Sequence, residues 1–301
     1  MQTVLVAGAN GALGRAVVAA AKRRGLRVRA LVRRAFSPAE LGADEVALAD
    51  PLRGIGLDAA FQGVERVFSA LGASVLPEFG KGYRSFPSVD TPANRALIQA
   101  AQRAKVQRFV YVSVAGHEQL GHLRYVRAHE DVVATLRSSG LAYSVLRPTG
   151  FFSVFGGMLE VAQRGVIPEL GVPEARTNPI ADEDLAELAV AALCTPDSSP
   201  FERTVGGPHV YTRRQLAELA FRALGKEPKF RALPPSVVRA LSLLIRPFNP
   251  RIADLMAFFQ AVFSRDCVGE PSGQRRIEDY FAERARALIP ALPERRGSAA
   301  E

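Results

Sequence analysis

The stretch of residues 3–14 places the tightest constraint on how this chain can fold. It reads Thr-Val-Leu-Val-Ala-Gly-Ala-Asn-Gly-Ala-Leu-Gly, an apolar run followed by glycines at positions 8, 11 and 14. A helical pattern covers residues 12–24 and ends at Gly25, which suits a left-handed helix cap. These features predict a buried strand that turns sharply into a helix. Glycines let the backbone approach a diphosphate at the helix N-terminus, where free N–H groups and the helix dipole favour negative charge.

We therefore predict a nucleotide-binding turn at this point of the chain. A purely structural tight turn with the same glycine spacing is the alternative. The preceding strand, the following helix and the opening position in the chain favour the nucleotide. The residues assigned to the turn are Gly8, Asn10, Gly11, Ala12, Leu13 and Gly14.

The end of the second predicted strand indicates which nucleotide binds. Residues 26–32 form an alternating pattern, and Arg33 and Arg34 follow directly. In dinucleotide-binding folds, an acidic residue about 20 residues beyond the glycines binds the adenosine ribose hydroxyl. Here two guanidinium groups stand instead, and their planar forks suit a 2′-phosphate. We predict NADP(H) in preference to NAD(H), with a surface arginine pair as the alternative.

Strand-like and helical segments alternate along the first half of the chain. Further strands are predicted at residues 45–49, 64–70, 108–114 and 142–146. This alternation predicts an α/β fold whose doubly wound parallel sheet carries helices on both faces. In such a sheet the ligand lies beyond the carboxyl ends of the strands. The residues at those ends that we assign to the cofactor are Asp50, Ala70, Leu71, Gly72, Pro148, Thr149, Gly150 and Phe151.

Two of these assignments have a structural explanation of equal weight. Asp50 can accept a hydrogen bond from an adenine amino group, or it can cap the turn at Pro51. Phe151 can form an apolar wall beside a flat ring, or it can pack in the core. The connection at residues 72–90 is long and rich in turn residues, which is typical of a functional loop, and we expect it to cover the site.

A second constellation begins at Ser113, at the end of a predicted strand. Tyr125 follows twelve positions later and His129 four beyond it, so both lie on one face of a predicted helix that points toward Ser113. Tyr125 is the candidate proton donor, provided that a neighbouring cation or hydrogen bond lowers its pKa. Ser113 would orient the substrate oxygen, and His129 would tune the tyrosine or bind the nicotinamide ribose. The structural alternatives are a packed aromatic ring, a strand-end cap and a satisfied polar residue.

Composition and charge argue against several classes of protein. No apolar run among the 301 residues reaches the roughly 18 residues of a membrane span, and no signal peptide is expected before the first strand. The two cysteines, Cys194 and Cys267, lack metal-ligand spacing and indicate free thiols in a reducing cytoplasm. The net charge of +9 comes with scattered arginines and without a nucleic-acid-binding motif. We expect neither a metal nor a nucleic-acid partner.

The last third of the chain contains two apolar helices, predicted at residues 237–245 and 252–263. We favour a lobe core or a dimer face for them, in a monomer or homodimer that acts on a small-molecule substrate. A lipophilic substrate pocket is one alternative. A membrane-surface patch is disfavoured, because the helices are short and interrupted by charge. Residues 291–301 are expected to form a disordered tail.

Five sequence segments together carry a family resemblance. They are the glycine turn at 8–14, Tyr-Val-Ser-Val at 111–114, the helix at 129–141, Tyr-Ser-Val-Leu-Arg-Pro-Thr-Gly-Phe-Phe at 143–152 and Asn-Pro-Ile-Ala-Asp-Glu-Asp-Leu at 178–185. With them the chain resembles an atypical short-chain dehydrogenase/reductase of the NmrA-like group. The resemblance implies a Rossmann-like NAD(P)-binding domain at 1–155, with 175–210 packing back onto it. It also implies a smaller, mostly helical substrate lobe at 156–290.

One departure from the broader superfamily bears on the chemistry. The superfamily carries Tyr-x-x-x-Lys, whereas this chain has Tyr-Val-Arg-Ala-His at 125–129. Histidine is mostly neutral at its unperturbed pKa of about 6.5, so the usual means of lowering the tyrosine pKa is weakened. We expect an oxidoreductase that transfers hydride between NADP(H) and a small apolar carbonyl, enone or quinone-like substrate. The alternative is an NADP(H)-binding redox sensor or scaffold without efficient turnover.

Overall fold

An eight-stranded sheet forms the centre of the structure, a computed structural model that describes residues 2–72, 84–196 and 199–288. In chain order the strands are β1 (Thr3–Ala7), β2 (Arg27–Val32), β3 (Glu45–Leu48), β4 (Arg66–Ser69), β5 (Arg108–Val112), β6 (Tyr143–Pro148), β7 (Ile167–Glu169), β8 (Arg176–Thr177), β9 (Phe201–Gly206), β10 (Tyr211–Thr212), β11 (Phe230–Ala232) and β12 (Glu270–Pro271). The central sheet has the order β12-β9-β6-β5-β4-β1-β2-β3, and every neighbouring pair is parallel. The predicted parallel sheet is confirmed.

Helices cover both faces of this sheet. In chain order they are α1 (Ala12–Arg23), α2 (Pro38–Leu41), α3 (Leu57–Phe61), α4 (Phe86–Arg103), α5 (His117–Leu120), α6 (Arg124–Arg137), α7 (Phe152–Phe155), α8 (Gly157–Gln163), α9 (Asp182–Cys194), α10 (Arg213–Ala223), α11 (Pro235–Ile245), α12 (Pro250–Phe263) and α13 (Ile277–Leu288). α1 and α9 pack on one face, and α4 and α6 pack on the other. Successive side chains of a strand point to opposite faces, so Val4 and Val6 enter the first layer and Leu5 the second. The α/β, doubly wound class is confirmed.

The strand order reverses direction beside β1. This strand pairs with β2 on one side and with β4 on the other. The connections therefore diverge, and a crevice opens beyond the carboxyl ends of β1 and β4. Gly8 follows β1 and Ala70 follows β4. The candidate site is built around these two strand ends.

The later helices form a smaller, mostly helical lobe. α8, α10 and α13 pack around Phe221 and Phe281, both fully buried. α11 and α12 form a helical hairpin, and α12 packs against α6. The short strands β9 and β12 return to the edge of the central sheet beside β6.

The predicted connection at 72–90 ends earlier than the sequence indicated. Helix α4 begins at Phe86, so residues 86–90 are helical and Pro92 lies inside the helix. Phe86 is fully buried, and its ring packs against Tyr125 at a centroid distance of 4.7 Å. This contact between distant segments holds the start of the helix against α6.

Two local features of the later segments also depend on contacts between distant residues. The segment at 165–178 contains β7 and β8, which pair with the distant strands β11 and β10. Asp182 is the first residue of α9 and follows the N-cap Ala181. Its carboxylate accepts hydrogen bonds from the backbone N and Oγ of Ser153, at 3.1 and 2.8 Å.

Within the described part of the chain, no helix combines the length and apolar composition that crossing a membrane requires. The same residues contain no group of three or more His, Cys, Asp or Glu side chains placed to hold a metal ion. The predicted tail at 291–301 and residues 73–83 of the predicted covering loop lie outside the described residues.

Candidate cofactor and active site

The turn after β1 has the geometry of a close backbone approach. Gly8 has a φ of +86°, and a Cβ atom there would lie 3.1 Å from the carbonyl oxygen of Ala70. A Cβ atom on Gly14 would overlap the carbonyl oxygen of Gly8. Position 14 therefore requires glycine, because α1 starts directly against the turn.

The N-terminus of α1 is open toward this turn. Gly11 is the N-cap, and no described side chain caps it. Asn10, Gly11 and Ala12 are exposed, whereas the Leu13 side chain is buried in the core and leaves only its backbone for a ligand. The first turn of α1 contains no acidic residue. Its amide groups and the helix dipole are therefore available to an anion such as a phosphate.

Exposed arginines follow β2, as predicted. Arg33 and Arg34 are both exposed, and neither forms an ion pair with a described residue. Arg15, which sequence reasoning missed, is also exposed, and its Nη1 donates to the carbonyl oxygen of Glu40 at 2.7 Å. Its only sequence signal is its place directly after Gly14.

Asp50 adopts the structural role that the sequence left open. Its Oδ1 accepts hydrogen bonds from the backbone N–H groups of Leu52 and Arg53, at 3.0 and 3.3 Å. This is the geometry of a carboxylate that closes its own turn. Contact with an adenine amino group stays a prediction.

The backbone after β4 is held by a side chain that the sequence did not single out. Asn94 of α4 donates through Nδ2 to the carbonyl oxygens of Leu71 and Asp90, both at 2.8 Å. Its Oδ1 accepts from the Ser69 hydroxyl at 2.7 Å. A Cβ atom on Gly72 would lie 3.3 Å from the Asp90 carboxylate. The chain at residues 70–72 is thereby fixed against the crevice.

The structure brings Tyr125 and His129 together but directs Ser113 elsewhere. The two rings lie edge to face at a centroid distance of 4.9 Å, and Phe258 packs against Tyr125 at 4.7 Å. The Ser113 hydroxyl donates to Oε1 of Glu130 at 2.9 Å. No hydrogen bond among the described residues joins Ser113 to Tyr125 or His129. Tyr125 and His129 are therefore neighbours, whereas the Ser113 hydroxyl contacts Glu130, and the three do not form a hydrogen-bonded triad.

Electrostatics at this cluster favour neutral side chains. Burial raises the pKa of Tyr125 well above its usual range, and the Asp90 charge adds to the increase. Burial lowers the pKa of His129 to about 4, against the opposing effect of the Glu130 charge. The condition that a neighbouring cation or hydrogen bond lowers the Tyr125 pKa is not met, because burial raises this pKa and a neutral His129 supplies no charge against it.

His129 also gives the fold a pH dependence that unfolding can measure. Its folded pKa of about 4 lies below the unfolded value of about 6.5, so between these values only the unfolded chain binds the proton. The contribution of His129 to the free energy of unfolding is therefore fully present above about pH 6.5 and decreases as the pH falls. We expect a loss of about 2 kcal/mol between pH 7 and pH 5. Urea unfolding at both pH values measures this loss. His129→Gln should remove it and the exposed control His122→Gln should keep it; equal losses in both variants would contradict the assignment.

A buried ion network lies beside Ser113. Arg147 is 2% exposed, and its guanidinium contacts Glu130 at 3.0 Å and Glu202 at 2.8 Å. Burial alone would raise the pKa of Glu202, but hydrogen bonds from Arg137 and Arg147 lower it to about 2. Because Glu130 also accepts the Ser113 hydrogen bond, the network joins the end of β5 to α6, β6 and β9.

Hydrogen bonds to the backbone of residues 178–180 fix the segment after β6. The Thr149 hydroxyl donates to the carbonyl oxygen of Asn178 at 2.6 Å, and the backbone N of Ile180 donates to the carbonyl oxygen of Gly150 at 2.9 Å. Phe151 packs against the core cluster on the α1 side of the sheet, as the structural alternative predicted. Pro148 ends β6 and is buried. The cofactor contacts assigned to these four residues stay predictions.

Comparison with known proteins identifies similar sequences. A family model described as NAD(P)H-binding matches residues 8–196, which confirms the predicted cofactor class. The chloroplastic divinyl chlorophyllide a 8-vinyl-reductase of Oryza sativa subsp. indica is 34% identical over 280 residues, covering 85% of this chain and 68% of the relative. Its counterpart from Zea mays is 32% identical over 258 residues, and this chain spans 63% of its length. The compartment of this chain stays a prediction.

Other similar proteins match over nearly their whole length. The photosystem II assembly factor Ycf39 of Trieres chinensis is 25% identical over 311 residues, covering 96% of this chain and 95% of the relative. An NADPH-dependent quinone oxidoreductase of Escherichia coli, solved with NADPH, has a TM-score of 0.70 at 20% identity and covers 95% of this chain and 99% of that structure. This last likeness shows the fold.

Proposed function

Since the chain belongs to the NAD(P)H-binding family, we propose that it is an NADP(H)-dependent oxidoreductase acting on a small apolar carbonyl, enone or quinone-like substrate. The observation that carries the proposal is the backbone cradle at Gly8 and Gly14, which a Cβ atom would fill. The nicotinamide, when bound, supplies or accepts the hydride. The residues of this chain bind and orient the two reactants and deliver the proton.

Arg33 and Arg34 are the proposed ligands of the 2′-phosphate. Changing both to glutamine should raise the NADPH Kd by about 10- to 100-fold, because two charge-assisted hydrogen bonds are lost, and change the NADH Kd less than about twofold. Calorimetry with each dinucleotide measures both values. The control Arg222→Gln plus Arg286→Gln removes the same charge from exposed positions of the helical lobe. An unchanged NADPH/NADH ratio in the first variant would refute the assignment.

His129 is the proposed ligand of the nicotinamide ribose, acting as a neutral donor. The Tyr111 hydroxyl lies 2.7 Å from its Nδ1. Burial raises the pKa of Tyr111 well above its usual range, so the phenol keeps its proton. The proposed role takes the tautomer in which this hydroxyl donates to Nδ1 and the imidazole hydrogen is on Nε2. In that tautomer His129 offers one N–H in a fixed direction, without charge, where the superfamily has lysine.

Tyr125 is the proposed proton donor to the substrate. Its raised pKa keeps the phenol protonated, so we expect no break in kcat from this group between about pH 6 and pH 9. Tyr125→Phe should lower kcat by about tenfold, which is below the roughly 100-fold or more of a typical general acid, because the phenol is not activated. The NADPH Kd should not change. Steady-state kinetics measure both, with Tyr280→Phe as a control in the helical lobe. An unchanged kcat would remove Tyr125 from the mechanism.

Two observations support an apolar, conjugated acceptor. The Tyr125 ring is flanked by Phe86 and Phe258, which are apolar and buried. The rice relative is named as a reductase of a vinyl group, and the Escherichia coli structure is named as a quinone oxidoreductase. Both names describe the reduction of an unsaturated acceptor.

The second candidate is a dinucleotide-binding scaffold. It is favoured by the raised pKa of Tyr125 and by the relative named as an assembly factor, which this chain matches over 95% of its length. Both candidates bind NADPH, and turnover separates them. Loss of NADPH absorbance with at least one class among quinones, enones and aldehydes is expected for the oxidoreductase. Tight NADPH binding without oxidation across all three classes would overturn it and favour the scaffold.

A further inference from the structure

Helix α11 has one face toward the protein and another toward solvent. Val238 and Ser242 are buried, and the Ser242 hydroxyl donates to the carbonyl oxygen of Ala253 in α12 at 2.9 Å. The outward residues lie four, three and four positions apart, which places them on one side of the helix axis. They are Val237, Leu241, Leu244 and, just beyond the helix, Phe248, with exposed fractions of 50%, 46%, 71% and 82%.

We call these four side chains the α11 apolar face. Leu243, which is 60% exposed, lies beside this face on the same helix. Single exposed apolar residues are common on protein surfaces, whereas a contiguous group of large ones marks an interaction site. The exposed residues of α11 are therefore not part of a lobe core, one of the two roles that the sequence favoured, and a dimer face stays a prediction. Phe258 of α12 is buried against Val126 and Tyr125 of α6.

The chain around this face is basic. Residues 228–253 contain no Asp or Glu and five cationic side chains, namely Lys229, Arg231, Arg239, Arg246 and Arg251. Arg246 pairs with Asp254 at 3.3 Å. Arg231 and Arg239 are exposed and form no ion pair with any residue that the structure describes. Exposed leucines and a phenylalanine thus lie close in sequence to five cations, two of which, Arg231 and Arg239, have no acidic partner among the described residues.

We propose that α11 binds the surface of an anionic lipid bilayer, with its axis in the interface and the α11 apolar face inserted. Helices with leucine and phenylalanine on one side and basic residues around them bind in this way, to a depth of about 5–10 Å. Anionic headgroups complement the cations. Dimerisation through this face would instead bring the cations of two copies together, each copy with a net charge of +9, and the like charges would repel. The interaction is independent of hydride transfer.

Vesicle co-sedimentation of the full chain tests the proposal. We expect binding to phosphatidylcholine vesicles with about 30% phosphatidylglycerol, weak binding to phosphatidylcholine alone, and a severalfold loss at high salt. The triple variant Leu241→Gln, Leu244→Gln, Phe248→Ser should bind at least about tenfold more weakly, since three inserted side chains are lost. The control Leu48→Gln plus Ile55→Gln, at positions 62% and 52% exposed at the other edge of the sheet, should bind like the unmodified protein.

A charge variant tests the same surface without altering its apolar residues. Arg231→Gln plus Arg239→Gln should weaken binding to anionic vesicles by about three- to tenfold, as expected for two interfacial cations. Thermal unfolding confirms that each variant is folded. Absent binding to anionic vesicles, equal binding to neutral vesicles, or equal binding by either variant would overturn the proposal. A homodimer that the triple variant dissociates, seen by light scattering, would also overturn it, because a second copy would then cover the face.

Discussion

Replacing Gly14 with alanine is expected to abolish NADPH binding by this protein. The added Cβ atom would overlap the carbonyl oxygen of Gly8, so α1 and the turn after β1 must move apart. The amide groups that face the diphosphate move with them. We expect the Kd to rise by at least about 100-fold, equivalent to the loss of about 3 kcal/mol of binding free energy. Calorimetric titration with NADPH measures the change.

A matched substitution separates binding from folding. Gly157→Ala makes the same chemical change at the first residue of α8, where a Cβ atom meets nothing within 4 Å. This control should bind NADPH like the unmodified protein and unfold at the same temperature. Gly8→Ala adds a Cβ atom only 3.1 Å from the carbonyl oxygen of Ala70 and serves as a second variant if Gly14→Ala does not fold. Normal NADPH affinity in either turn variant would contradict the cradle.

Arg147→Met is expected to destabilise the fold by roughly 3–5 kcal/mol, since it leaves two carboxylates without their shared buried partner. The guanidinium is 2% exposed and contacts both Glu130 and Glu202. Methionine restores much of the volume, so the expected loss is chiefly electrostatic. Urea unfolding at pH 7 measures the change in free energy of unfolding.

Arg137→Met is the control for this prediction. Arg137 pairs with the same Glu202 at 2.7 Å, but its side chain is 52% exposed. Solvent-exposed ion pairs contribute about 0–1 kcal/mol, so the control should lose several times less stability than Arg147→Met. Equal decreases in the free energy of unfolding for the two variants would show that the burial of Arg147 does not determine how much its ion pairs stabilise the fold.

The parts of the fold that sequence reasoning predicted depend on residues close together in the chain. The turn after β1 follows from glycine spacing within seven residues, 8–14, and the parallel sheet follows from short alternating segments. The Arg33–Arg34 pair could be predicted in the same way, because it follows the glycines at a characteristic separation along the sequence. These features need no knowledge of what packs against them.

The remaining features depend on contacts between distant segments. Arg147 lies 17 positions from Glu130 and 55 from Glu202, and no local pattern relates them. The pKa of Tyr125 is raised by burial, to which Phe258 of the later helix α12 contributes. The spacing of four residues between Tyr125 and His129 predicted that they share a helix face, but it could not predict the protonation state of Tyr125. Hydrophobic periodicity likewise could not distinguish the exposed Leu244 of α11 from the buried Phe258 of α12.

Transfer of deuterium from labelled cofactor to product tests the central claim most directly. The protein would be mixed with NADPH deuterated at the transferring position of the nicotinamide and with quinone, enone and aldehyde acceptors in turn. We predict that mass spectrometry finds the label on carbon in the reduced enone or aldehyde, or that reduction of a quinone removes it from the cofactor and releases it to water. Gly14→Ala should give neither result. Label that stays entirely on the cofactor with every acceptor, although calorimetry shows NADPH bound, would contradict the assignment of this protein as an oxidoreductase.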